Sequence, residues 1–162
     1  HWCDVKESWD ENSHPIISIE EIVKKSAGLS DFVVVTGGEP LMWNMNPLTK
    51  ALKKLGKKTH IETSGAYPLT GIWDWVCLSP KKAKLPIEDA YNHAHELKII
   101  IYNNHDFKFA EQEAKKVNKN AILYLQPEWS KREKMMPLMV DFIKKNPKWK
   151  ISLQTHKYLN IP

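Results

Sequence analysis

Six short apolar runs, at 33–36, 59–62, 73–78, 96–102, 121–125 and 150–153, recur along the 162 residues, most of them separated by helix-like patterns. Strands that alternate with helices pack as neighbours in a sheet, with right-handed crossovers between parallel partners. The pattern therefore predicts an α/β chain on a mainly parallel sheet. The run Val33-Val34-Val35 reads as a buried strand, and Gly37-Gly38 after it lets the backbone turn sharply and approach a ligand closely. Glu39 and Pro40 follow at once, fixed where the strand ends. In sheets of this kind ligands sit at the carboxyl ends of the strands, so this turn is a candidate site.

The intervening helices carry their own punctuation. Ser18 with Glu21 forms a capping box opening a helix to about Gly28. Asn46-Pro47 caps and starts a second helix, with Leu48, Ala51, Leu52 and Leu55 inward and Gly56 as its stop. A third runs over 106–118 with Phe107, Ala110 and Ala114 inward. Ser130 with Glu133 makes a second capping box, launching a helix to 145 with Met135, Leu138, Met139 and Phe142 as core. Glu96 and Lys98, at the entry of the fourth strand, read as a structural ion pair.

Five of the six predicted strands end in polar or glycine-bearing segments: GGEP, ETSG, SPK, QPEW and QTHK. A parallel sheet brings these to one rim, where a single ligand could touch them all. Within them, Pro80 stiffens a turn, Ser79 offers a hydroxyl, and Lys81 reads either as a solvated charge or as a ligand contact.

Composition narrows the class. A hydrophobic fraction of 42% with 27% charged residues is that of a soluble globular domain, and no run of 18 apolar residues exists to span a membrane. The net charge of +5 is spread over several helices, which solvated faces explain without nucleic acid. Two cysteines, Cys3 and Cys77, make no disulfide framework and point to a reducing cytoplasm. Cys77 lies deep in a predicted strand. The chain opens at His1 without a methionine, so residues 1–162 read as one domain lacking an N-terminal segment.

In order and spacing, WCDVKESW at the start, TGGEP, ETSG, SPK, the ELK strand, LQPE and the final LQTHKYLNIP resemble the 7-carboxy-7-deazaguanine synthases, radical SAM enzymes of the queuosine pathway. The resemblance covers essentially the whole chain. It implies a partial, incomplete TIM-like barrel. It also implies ring contraction of 6-carboxy-5,6,7,8-tetrahydropterin to 7-carboxy-7-deazaguanine with loss of ammonia. The cofactors it implies are a 4Fe–4S cluster, S-adenosylmethionine used catalytically, and Mg²⁺ on the substrate. Partners follow likewise: a pterin substrate, an electron donor such as flavodoxin, and a second copy of the chain in a homodimer. Direct contact with nucleic acid or a membrane is not implied.

By the same resemblance Cys3 is a cluster ligand, and the two other cluster cysteines would precede His1, so the sequence as written is expected to be inactive. Thr36 contacts the pterin. Gly38 contacts S-adenosylmethionine, with Gly37, Glu39 and Pro40 shaping that contact. Ser64, Ser79, Pro80, Lys81, Gln126, Pro127, Glu128 and Trp129 line the same cofactor. Pro162 places its terminal carboxylate on the pterin, an anionic acceptor for an amino and ring N–H edge. Val5 departs from the pattern, standing where a hydroxyl-bearing Mg²⁺ ligand is usual and offering no side-chain oxygen. His156 reads as structural as readily as functional. Two other readings stand beside this one: another radical SAM enzyme, such as a glycyl-radical activating enzyme, and a non-catalytic S-adenosylmethionine-binding α/β module.

Overall fold

A computed structural model of the chain describes residues 15–161. Its elements follow as α1 (Ile19–Ser26), β1 (Phe32–Val35), α2 (Asn46–Lys54), β2 (Lys58–Thr63), β3 (Trp75–Leu78), α3 (Glu88–His93), β4 (Glu96–Ile101), α4 (His105–Ala114), β5 (Ile122–Pro127), α5 (Arg132–Lys145), β6 (Trp149–Ile151) and α6 (Thr155–Tyr158). Short 3-10 turns at Pro40–Met42 and Trp129–Lys131 follow β1 and β5. The six strands form one sheet in chain order, and every pairing is parallel. That order is the order of a β/α barrel. Among the described residues β1 and β6 each pair on one side only, so the barrel they form is partial and open.

Register separates the sheet into two faces, because side chains alternate along each strand. On one face lie Ile61, Val76, Leu78, Leu97, Ile99, Ile101, Leu125 and Trp149, all buried. Ala90 and Tyr91 of α3, Ala110 of α4, and Met135 and Met139 of α5 pack against most of them as one core. The other face carries His60, Glu62, Trp75, Cys77, Glu96, Lys98, Tyr124 and Gln126, in register across β2 to β5. Charged, polar and aromatic side chains on one face of the sheet, opposite the aliphatic core, leave that face able to receive a ligand.

The local punctuation matches expectation in part. Ser18 Oγ accepts the Glu21 amide at 3.1 Å, but α1 ends at Ser26. Met45, rather than Asn46, is the N-cap of α2 and makes no side-chain cap bond, while Asn44 Oδ1 just before it accepts the Asn46 amide at 3.0 Å. Leu55 and Leu138 are exposed: Leu55 is the C-cap of α2, beyond its last helical residue, and Leu138 lies about 100° around α5 from Met139. No capping box forms at Ser130 and Glu133: Ser130 belongs to the 3-10 turn, and its hydroxyl donates to Glu128 Oε2 at 2.5 Å. Among the described residues β1 stands at the edge of the sheet and is only half-buried on its better side, not the buried strand its valines suggest.

A loop rather than a helix joins β2 to β3, which starts at Trp75 instead of 73. Asp74 anchors that loop. Its carboxylate accepts the Thr59 amide at 2.6 Å and the Lys53 ammonium. The Lys53 contact, with the Thr59 amide, holds Asp74 below its usual 3.8. This contribution to stability is complete above the ordinary carboxylate range and is lost as pH falls through the lowered value. Among the described residues no helix is long and apolar enough to cross a membrane.

Candidate functional site

The carboxyl ends of all six strands lie along one rim. At the end of β1, Thr36, Gly37 and Gly38 are exposed. Gly37 has φ +105°, a region that disfavours any side chain, and nothing lies within 4 Å of where a Cβ would stand. Its backbone is therefore bared to solvent, open to close approach. Glu39 N-caps the 3-10 turn by accepting the Leu41 amide at 3.2 Å, and Pro40 and Leu41 are buried beneath it.

The rims of β1, β2 and β3 are tied together. Glu39 Oε1 accepts the Thr63 hydroxyl at 2.6 Å, while Oε2 accepts the Ser64 amide at 2.8 Å and the Ser64 hydroxyl. Gly65, at φ +72°, is packed so closely that an added Cβ would lie 2.4 Å from Leu78 Cδ1. The Ser79 amide donates to the Thr63 carbonyl at 2.8 Å. Ser79 and Pro80 are buried, and Lys81 Nζ donates to Ser79 Oγ at 3.1 Å. Lys81 thus has a partner in the protein yet stays exposed on the rim.

At the end of β5, Gln126, Pro127 and Glu128 are buried and Trp129 is half-buried. Gln126 Oε1 accepts the Ser152 hydroxyl at 3.0 Å, joining β5 to the segment after β6. The Arg132 guanidinium lies 4.2 Å from the Trp129 ring centroid, and Tyr158 of α6 meets that ring edge-on at 5.1 Å. The tail thereby docks on the rim, and His156 is exposed on α6. The rim brings together Thr36, Gly37, Gly38, Glu39, Pro40, Ser64, Ser79, Pro80, Lys81 and the 126–129 segment. Cys3, Val5 and Pro162 lie outside the described residues.

The open sheet face adds residues that sequence reasoning did not select. Lys98 pairs with Glu62 at 2.8 Å rather than with Glu96, whose carboxylate accepts the Trp75 indole N–H at 3.0 Å. Glu96 and Lys98 share a face two residues apart on one strand, whereas Glu62 reaches Lys98 from across the sheet. Burial alone would lower the Lys98 pKa, but beside the Glu62 and Glu96 carboxylates it is raised instead. Burial pushes the Cys77 thiol well up, so it stays an inert thiol. The signal for this group was present in the sequence: charged residues at alternate positions of KTHIET and ELKIII, strands otherwise built of β-branched and aliphatic residues.

Among the described residues no three His, Cys, Asp or Glu side chains are grouped to hold a metal ion. Cys77 faces Lys98 and the two carboxylates, so the described residues do not supply the ligands of an iron–sulfur cluster. A bared glycine turn flanked by buried polar side chains does suit a ligand with amino and carboxylate groups. A groove of about 650 Å³ elsewhere, lined by Lys82, Phe109, Glu113 and Lys116, belongs to the packing of α4, where Glu113 accepts from Lys116 at 2.7 Å.

No protein-family model matches the chain. A 7-carboxy-7-deazaguanine synthase of Flavobacterium psychrophilum is 63% identical over 162 residues, covering 100% of this chain and 77% of the relative. The synthase of that name from Synechocystis is 48% identical over 161 residues, covering 99% and 77%. Among solved structures, the crystal structure of QueE from Escherichia coli superposes with a TM-score of 0.81 at 25% identity, covering 94% of this chain and 78% of that one.

Proposed function

The chain belongs to the 7-carboxy-7-deazaguanine synthases, and on that premise we propose that its strand-end rim binds S-adenosylmethionine while its open sheet face receives 6-carboxy-5,6,7,8-tetrahydropterin. The reaction is the ring contraction of that pterin to 7-carboxy-7-deazaguanine with loss of ammonia, a step of queuosine biosynthesis. What supports the siting is one observation: TGGEP, ETSG, SPK and QPEW converge on one edge of an all-parallel sheet.

When bound, the cluster and S-adenosylmethionine supply the hydrogen-abstracting radical chemistry, and the chain's own residues bind, orient and shield. Gly37 and Gly38 present backbone groups to the methionine moiety, with Glu39 and Pro40 holding the turn. Ser64, Ser79, Pro80, Lys81 and Gln126 to Trp129 line the remainder of the cofactor. Thr36, one residue beyond β1, stands where rim and open face meet and contacts the pterin. Lys98 neutralises Glu62 in that face, so an anionic substrate meets one net negative charge from Glu62, Glu96 and Lys98 instead of two. Cys3 binds the cluster and the Pro162 carboxylate the pterin. Mg²⁺ is held by substrate and water, since Val5 offers no side-chain oxygen. A flavodoxin-like donor, a homodimer and a cytoplasmic location complete the reading.

The test is turnover. The full-length protein, anaerobically reconstituted and given S-adenosylmethionine, reductant and 6-carboxytetrahydropterin, is expected to yield 7-carboxy-7-deazaguanine by mass and one ammonia per product. Cleavage of S-adenosylmethionine without product would assign another radical SAM reaction. No cleavage at all would leave a binding module.

A further inference from the structure

We propose that Glu39 is a positioning residue that contacts no ligand and sets the Gly37-Gly38 turn by clamping the end of β1 to the end of β2. This rests on the reading of the rim as an S-adenosylmethionine site. An ionised carboxylate has about four acceptor positions. All are used within the protein: the Leu41 amide and Thr63 hydroxyl on Oε1, the Ser64 amide and hydroxyl on Oε2. A ligand amino group would have to displace one of these. The Thr63 oxygen also accepts the Gly65 amide at 2.9 Å, which leaves its own proton directed at Glu39. The clamp therefore spans 24 and 25 residues of sequence and runs from the bared glycine turn through Thr63 to the tightly packed Gly65.

The chemistry demands a carboxylate. In Glu39→Gln the amide places its NH₂ against either the Leu41 or the Ser64 backbone N–H, donor facing donor, whichever way it turns. One backbone amide then loses its acceptor and the turn loosens. The volume is unchanged, so the substitution isolates hydrogen bonding from packing. Thr63 is the complementary probe. It is 4% exposed, tucked below the rim, and assigned no ligand contact. Thr63→Val removes the Thr63 bond to Glu39 and the acceptor of the Gly65 amide while leaving the two Ser64 bonds and Glu39 itself in place, so it weakens the clamp from the β2 side.

Equilibrium binding of S-adenosylmethionine to the holoenzyme and to its variants is the measurement. Glu39→Gln and Thr63→Val are each expected to weaken binding about tenfold or more, the double variant being no worse than the weaker single. Thr63→Ser, which keeps the hydroxyl, binds as the parent does. Weakening by Glu39→Gln with Thr63→Val unchanged within about twofold would make Glu39 a direct ligand and overturn the proposal, as would two unchanged variants. A second measurement needs no cofactor: amide hydrogen exchange over 36–41 quickens in cofactor-free Glu39→Gln, and an unchanged pattern contradicts the clamp. If the parent itself binds no S-adenosylmethionine, the rim reading fails, while the exchange result still judges the clamp.

Discussion

Gly65→Ala is expected to cost about 3–4 kcal/mol of stability, combining a left-handed backbone penalty with overpacking of a closed core. The added Cβ would meet Leu78 Cδ1 at 2.4 Å, Ala90 Cβ at 2.9 Å and Pro86 Cβ at 3.1 Å. Leu78 is 0% exposed and belongs to the main core, and Ala90 is fixed on α3, so neither can step aside cheaply. Gly56→Ala is the internal control. Its φ of +77° is nearly the same, but nothing stands within 4 Å, so only the backbone penalty of about 1 kcal/mol remains. Denaturant midpoints at constant m-value measure both. Equal losses for the two variants would show that packing at the rim of β2 is looser than this account holds. Because Ser64 precedes Gly65 and bonds Glu39, the same shift also disturbs the glycine turn, so cofactor affinity should fall with stability.

Lys98→Met is the second large effect, and it falls on activity more than on folding. Methionine fills much of the lysine's volume, and Glu62, with its side chain 43% exposed, keeps water as an alternative partner. Stability should therefore fall by only about 1–2 kcal/mol, less than the loss of a fully buried pair. On the open face, however, Glu62 and Glu96 then carry two negative charges without compensation, facing a substrate that brings its own carboxylate. Repulsion of about 2–3 kcal/mol corresponds to a loss of about a hundredfold in kcat/KM for 6-carboxytetrahydropterin. S-adenosylmethionine binding at the rim should change little. Parent-like kcat/KM for the pterin in a folded Lys98→Met protein would remove the open face from the substrate site.

Much of this was legible in the sequence because it depends on periodicity and on strand ends. Alternating strands and helices dictated a parallel sheet, and a parallel sheet in chain order places every strand's carboxyl end on one rim. The features that were not legible depend on contacts across the sheet or on short segments. Lys98 reads as the partner of Glu96 along the chain, and only the folded sheet brings Glu62 within reach of it. The six-residue α3 is too short for a helical period to register. The Ser130 cap fails because a 3-10 turn already occupies the start of α5, and a capping-box pattern cannot reveal what precedes it. The loop before β3 holds its course through Asp74 and Lys53, a long-range contact. The Glu39 clamp escaped for the same reason: GGEP and ETSG are separate motifs in sequence and one hydrogen-bonded unit in space.

One ligand is expected to span the strand ends. Hydrogen exchange of the holoenzyme with and without S-adenosylmethionine tests it most directly. Slowed exchange is predicted together at 36–41, 64–65, 79–81 and 126–129, with the outer helix α5 unchanged. Protection confined to one of these segments, or appearing on α5 instead, would contradict a shared cofactor rim.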